Sequence, residues 1–236
     1  FKQVVLGIAY NRVLYRKEYD ESYMNIHLEQ VLPSEIEKRS FEIITEELKG
    51  RMFLPEQEPI IKRVIHTTAD FEYTDTMTFS KDAVKKGLEA LREGACIITD
   101  TNMVKSGIHK KTLERFGGEA ICYISDEEIA KMAKLNGTTR AVASMDKAAA
   151  LNKKLIFAIG NAPTALIRIH ELIQEHKIKP ELVIGVPVGF VNVVQSKELI
   201  MSTDVPYIVA KGRKGGSNVA AAICNALLYM LDNNRD

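Results

Sequence analysis

The sequence predicts a doubly wound α/β protein, a mostly parallel sheet with helices on both faces, and three observations predict it. Short apolar runs recur along the chain: "ACIIT" at 95–99, "AICYI" at 120–124, "LIFAIG" at 155–160, "LVIGV" at 182–186 and "YIVA" at 207–210. Helical patterns near 101–115, 126–151, 163–176, 190–201 and 216–231 fall between or after them. No repeat, low-complexity tract or flexible linker interrupts this rhythm. Strands apolar on both sides, alternating with helices, belong to a parallel sheet covered on both faces. Residues 31–236 therefore read as one domain, preceded by an extension over 1–30.

The upstream elements follow in order. The opening "FKQVVLGIAYNRVLYRKEYDE" is rich in Val, Tyr and Leu and reads as a hairpin or a pair of short edge strands. After Pro33, Ser34 and Glu37 have the spacing of a capping box, and Ile36, Ile43, Ile44 and Leu48 form an apolar stripe. Ser40 falls on that stripe, and a bond from its hydroxyl to a carbonyl in the preceding turn is the favoured reading of the pattern. A second helix covers about 59–67, with Ile61, Val64 and Ile65 facing inward. "FEYTDTMTFS" then alternates like a strand, and Ser80 reads as the cap of a helix whose stripe is Val84, Leu88 and Leu91.

Composition excludes several classes of function. Lys and Arg total 32 against 31 Asp and Glu, for a net charge of +1. A general nucleic-acid binder needs a strongly basic face to displace phosphate counterions. No run reaches the roughly 18 apolar residues of a membrane span, and the N-terminus has no secretory pattern. The three cysteines, Cys96, Cys122 and Cys224, have no CxxC spacing and read as small buried hydrophobes, as expected in a reducing cytoplasm. The five histidines form no HxH or HxxxH pair, so no metal site is expected.

Parallel sheets place ligands at the carboxyl ends of their strands, near the switch in strand order. The loops expected there are "TDTNMVKSG", "GNAPTAL", "GVPVGFV" and "AKGRKGGSNVA". GxGxxG after the first strand and GxxxxGK[ST] are both absent, so a nucleotide-dependent oxidoreductase has little support. GxSxG and HExxH are absent too. Arg63 and His66 stand three apart on one helix edge and so emerge as neighbours. Taken alone, His66 reads more readily as a satisfied core histidine than as a functional one. Arg63 could pair with Glu56 or Glu58, and Asn161 reads as the cap of the helix after it.

The segments "SEIEKRSFEII", "RVIHTTADFEY", "FSKDAVKKGLEALREGACIITDTNMVKSGI", "GTTRAVASM", "AIGNAPTAL", "GVPVGFVNVVQSKE" and "KGRKGGSNVAAAICNALL" change that balance. In this order, over roughly residues 30–230, they resemble the precorrin-8X methylmutases, the precorrin isomerases of cobalamin biosynthesis.

The resemblance implies a flavodoxin-like sheet, a homodimer, no cofactor, and a corrinoid substrate and product. It implies a [1,5]-sigmatropic methyl shift from carbon 11 to carbon 12, giving hydrogenobyrinate, or cobyrinate when cobalt is in the ring. The catalytic histidine of the family falls on His66, and its substrate contacts fall on Ser40 and Arg63. For a substrate edged by carboxylates, Arg39, Arg140 and Arg213 are further candidates by motif position. Gly215, Gly216 and Ser217 are expected to present backbone N–H groups at a helix start. A non-catalytic tetrapyrrole carrier is the rival reading, separated by whether catalytic amounts of protein convert the substrate.

Overall fold

The computed structural model describes residues 28–232. The predicted hairpin over 1–21 lies outside them. The chain divides into two units, residues 1–40 and 41–236. In the first unit, Pro33–Glu35 form a turn of 3-10 helix leading into helix α1, Ile36–Glu47, which runs on into the second unit. The cap position is Leu32, without a side-chain bond, so Ser34 does not cap as its spacing predicted. Ser40 donates its hydroxyl to the Ile36 carbonyl at 2.9 Å, as the pattern suggested.

The second unit is built on a six-stranded sheet. Its strands are β1 (Met77–Phe79), β2 (Cys96–Thr99), β3 (Glu119–Ile121), β4 (Leu155–Ile159), β5 (Leu182–Gly185) and β6 (Tyr207–Ala210). They lie in the order β1-β6-β5-β4-β2-β3. Every pair is parallel except β1 with β6. Counting only the parallel strands, the order is 2-1-3-4-5, the flavodoxin-like winding with its switch point between the first and third strands, here β2 and β4.

Alternate residues of each strand serve opposite faces. Ile97, Ile156, Ala158, Leu182, Ile184 and Ile208 pack with α2 (Glu58–Thr68), α4 (Ala83–Arg92), α5 (Asn102–Gly107), α6 (Lys110–Arg115) and α11 (Ser217–Leu231). Cys96, Ile98, Phe157, Ile159, Val183 and Val209 pack with α8 (Arg140–Ala149), α9 (Pro163–Gln174) and α10 (Val193–Met201). On the outside of α8, α7 (Glu127–Leu135) adds Ile129 and Ala133. All three cysteines are buried free thiols; burial pushes Cys96 up to about 11 and Cys224 up to about 12.

Several local expectations need correction. Residues 73–76 form one helical turn, α3, and only 77–79 pair as a strand. The Asp70 carboxylate accepts the Glu72 N–H, and the Thr74 and Thr76 hydroxyls bond back to the Phe71 and Glu72 carbonyls. Tyr73 and Met77, both buried, are four apart, which is helical spacing hidden inside the alternation. Ser80 does not cap α4; it exchanges hydrogen bonds with Tyr207 and lengthens the β1–β6 pairing. The helical stretches 101–115 and 126–151 each break in two, the second at Gly137, whose φ of +61 reverses the chain. Of the stripe, Ile44 on α1 and Leu48 just past its end are buried while Ile36 and Ile43 are exposed.

The switch point is sealed from within. Asp100, directly after β2 and 1% exposed, accepts N–H groups from Gly160, Asn161 and Ala162 at 2.9, 2.8 and 2.6 Å. Burial pushes its carboxyl up from the ordinary range, and these three donors pull against that. The entrance to α9 is therefore capped by Asp100 from another strand, not by Asn161. A helix start at a switch point is where this fold receives phosphate elsewhere, and here the chain's own carboxylate holds that place. Asp100→Ala strips three amides of their acceptor and should lower stability by about 3 kcal/mol or more. The check is a fall in denaturant midpoint with an unchanged slope.

Candidate active site

The antiparallel edge strand decides where His66 goes. Because β1 runs against β6, its first residue, Met77, pairs with Ala210 at the carboxyl edge of the sheet. The segment entering β1, residues 69–76, is thereby delivered to the same edge as the βα loops. A hydrogen bond from the Lys211 N–H to the Thr76 carbonyl, 2.8 Å, joins the two. The helix ahead of that segment is α2, which buries Ile60, Ile61, Val64 and Ile65 and ends at Ala69 in a left-handed cap. His66 occupies its last turn and is exposed. It is not a core histidine.

Arg63 and His66 meet on Phe41. The imidazole stacks on the Phe41 ring with centroids 5.1 Å apart and planes 11° from parallel. The Arg63 guanidinium lies 4.6 Å from the same ring centre and 5.0 Å from that of Tyr229 on α11. Flat contacts of this kind hold a guanidinium in place at about 0.5–1 kcal/mol each. Phe41, Arg63, Tyr229, Pro59, Ala226 and Met230 line a cleft of about 380 Å³. Glu58, considered above as a partner for Arg63, pairs with Lys62 at 2.5 Å.

A second cluster forms where the βα loops converge. The Ser217 and Thr101 hydroxyls bond at 2.9 Å, and Gly216 gives its N–H to the Val186 carbonyl at 2.9 Å. That amide is therefore not open to a ligand, contrary to expectation. Gly215 lies so close to the β5 loop that a Cβ would fall 2.1 Å from the Val186 carbonyl oxygen. Arg213 is exposed, with its guanidinium 5.4 Å from the Phe190 ring centre. Lys214 pairs with Asp70 at 2.5 Å and Glu72 at 2.6 Å, tying this loop to the segment that follows His66. Those carboxylates raise the Lys214 ammonium, and the Lys214 hydrogen bond holds Asp70 below the usual carboxylate range.

The remaining candidates are not gathered into either cluster. Arg140 is the first residue of α8 and is exposed. Its cap residue Thr139 shares a hydrogen bond with Thr164, which sets this helix start beside that of α9. In the first unit, Ser40 keeps its back-bond and Arg39 pairs with Glu29 at 2.6 Å. Phe41, Tyr229, Asp100 and Lys197 escaped the sequence reading. Each acts on a residue remote in sequence, and the only signal was that Phe41, Asp100 and Lys197 lie within quoted motifs. Among the described residues no cluster of His, Cys, Asp and Glu could hold a metal ion, and no helix is long and apolar enough to cross a membrane.

A flavodoxin-like scaffold whose carboxyl edge gathers guanidinium, ammonium and imidazole groups defines an α/β protein suited to an anionic ligand with apolar surface. Comparison with known proteins sharpens this. The sequence profile of precorrin-8X methylmutase matches residues 35–230. A cobalt-precorrin-8 methylmutase of Priestia megaterium is 48% identical over 202 residues, covering 86% of this chain and 90% of the relative. A protein of the same name from Salmonella typhimurium is 49% identical over 205 residues, covering 84% and 96%. Among solved structures, the precorrin-8x methyl mutase of Thermus thermophilus superposes with a TM-score of 0.77 at 38% identity, covering 84% of this chain and 97% of that one. The chain belongs to the precorrin-8X methylmutase family.

The buried Lys197 gives this region a pH signature. It is 1% exposed, and burial pushes its ammonium down to about 8 from an ordinary value near 10.5. Below pH 8 the lysine is charged in both folded and unfolded chains, and its burial penalty is constant. Between about 8 and 10.5 the folded chain sheds the proton while the unfolded chain keeps it, so this group makes stability rise with pH. Chemical denaturation from pH 7 to 10 should show that Lys197→Met gains less from rising pH than the parent does.

Proposed function

We propose that this chain is the isomerase that moves a methyl group between neighbouring ring carbons, 11 to 12, of cobalt-precorrin-8, giving cobyrinate. The observation that carries the proposal is the family match over 35–230, which includes "RVIH" and the motifs of the carboxyl-edge loops. Both relatives described above are named for the cobalt-containing substrate, which favours that form over the metal-free ring. The activity is assigned to residues 31–236, and residues 1–30 are an extension to this domain.

The reaction is an isomerisation in which the bond from the methyl to carbon 11 breaks as the bond to carbon 12 forms, and the conjugated double bonds shift to match. Atoms and electrons balance without a co-reactant. No nucleophile is required, so the protein's task is to bind the macrocycle in one conformation and to bias its electron distribution. In this reading His66 is the general acid, donating a proton or a strong hydrogen bond to a ring nitrogen as the π system rearranges. Its exposure at a helix end and its stacking on Phe41 support the role, because the ring is oriented while a nitrogen edge stays accessible. Imidazole is suited to this because its ordinary pKa lies close to neutrality. Arg63, held over Phe41 and Tyr229, would bind a peripheral carboxylate through two parallel bonds. Ser40, Arg39, Arg140, Arg213, Gly215 and Ser217 remain candidates for the other polar edges of the substrate.

The homodimer is part of the same proposal, as is a cytoplasmic location. Ile43, Met52 and Leu54 are exposed apolar residues, which a second copy would cover. Three buried free thiols suit a reducing compartment. Sedimentation should give twice the chain mass; a monomer at micromolar concentration would remove the dimer.

The activity is tested by following the absorption spectrum of cobalt-precorrin-8 with catalytic amounts of protein. Many turnovers per chain support an isomerase, whereas a change that stops at one equivalent would indicate a carrier. His66→Ala should lower kcat by about 10²–10⁴-fold and leave cobyrinate affinity within about threefold; undiminished turnover would take His66 out of the mechanism. Arg63→Lys keeps the charge but loses the planar fork, and should raise KM by about tenfold, the equivalent of about 1.4 kcal/mol.

A further inference from the structure

The loop between β6 and α11 shows three successive carbonyls turned toward the protein. Those of Gly212 and Lys214 both accept from Lys197 Nζ at 2.8 Å, and the one between them, on Arg213, accepts the Gly189 N–H at 3.1 Å. Lys197 is 1% exposed, and among the described residues no carboxylate pairs with it. A buried ammonium whose partners are only carbonyl oxygens is costly to maintain. Stability alone gives no reason to keep a charge there, since methionine would fill similar space.

Its effect on the backbone supplies a reason. These peptide bonds are trans, so each N–H points opposite to the carbonyl that precedes it. With the carbonyls of residues 212–214 facing Lys197 and Gly189, the N–H groups of Arg213, Lys214 and Gly215 face away from them, and none donates to another described group. Gly212 at φ +77 allows the turn that brings successive amides together. The ammonium also polarises the two carbonyls it binds, which makes the amides on the far side of those peptides better donors. From the other side, Lys214 is anchored by Asp70 and Glu72, a few residues after His66.

We propose that Lys197 is a positioning residue of the active site, holding the loop so that the amides of Arg213, Lys214 and Gly215 receive one peripheral carboxylate of the corrinoid. The inference rests on the corrinoid reading above. Arg213, at the mouth of the same loop, adds its guanidinium to the carboxylate, and Lys197 itself touches no substrate.

Two measurements test this. In the full-length parent protein, titration with cobyrinate should shift the amide resonances of residues 213–215 and slow their hydrogen exchange. Binding that leaves all three amides unchanged overturns the proposal. In steady-state kinetics, Lys197→Met should raise KM at least tenfold with a smaller fall in kcat, the reverse of the His66→Ala split. Lys197→Arg, which can still donate to both carbonyls, should recover part of the loss. A folded Lys197→Met protein with the parent's KM and cobyrinate affinity overturns the proposal; if that variant does not fold, the amide titration of the parent decides. A parent protein that neither binds nor converts the corrinoid removes the functional reading and this inference together. A parent that does both while Lys197→Met matches it removes the inference alone.

Discussion

Asp100 sits where the winding of the sheet reverses, and much of the site depends on how that point is closed. A parallel sheet covered on both faces leaves an opening at its carboxyl edge where neighbouring connections diverge to opposite sides. Here the opening lies between β2 and β4, and the Asp100 carboxylate spans it by accepting three consecutive amides at the start of α9. The arrangement joins two strands and a helix around one buried carboxyl group. In the reading proposed above, ligand binding lies away from the switch point, at the loops after β5 and β6 and the helix that carries His66.

The relocation explains the shape of the candidate site. An antiparallel edge strand returns the chain after α2 to the carboxyl edge, so a helix distant in sequence can supply the imidazole and guanidinium. Two lysines then fix the β6–α11 loop, one buried and bonded to carbonyls, the other half-buried and bonded to carboxylates. Aromatic rings do comparable work on α2, where Phe41 and Tyr229 orient groups that would otherwise be free to rotate. The result is an edge rich in donors and cations in a protein of nearly balanced charge. A polycarboxylate with an apolar body is matched by that combination, whereas a nucleic acid would require a broad basic face.

The parallel sheet was legible in the sequence because strands buried on both faces cannot tolerate polar residues, and five such runs stand out between helical patterns. What failed were short-range readings in which one pattern admits two structures. Thr74 and Thr76 looked like the polar side of a strand, but their hydroxyls bond back within a helical turn. Ser34 had capping-box spacing and Ser80 read as a cap, yet the chain enters its helices at Leu32 and Asp82. Asn161 was read as a cap when Asp100, sixty-one residues earlier, performs that role.

By itself the sequence determined the strand and helix succession, the family, and the pair Arg63 and His66, because each is written in local periodicity or in contiguous motifs. Tertiary structure alone decided that β1 pairs antiparallel, that Asp100 closes the switch point, that Phe41 and Tyr229 orient Arg63, and that Lys197 turns the loop amides outward. Each of those depends on groups far apart in the chain meeting in space. A hydrogen bond or ring contact of that kind leaves no periodic trace, since its two halves are separated by a sequence distance that packing, and not local geometry, selects.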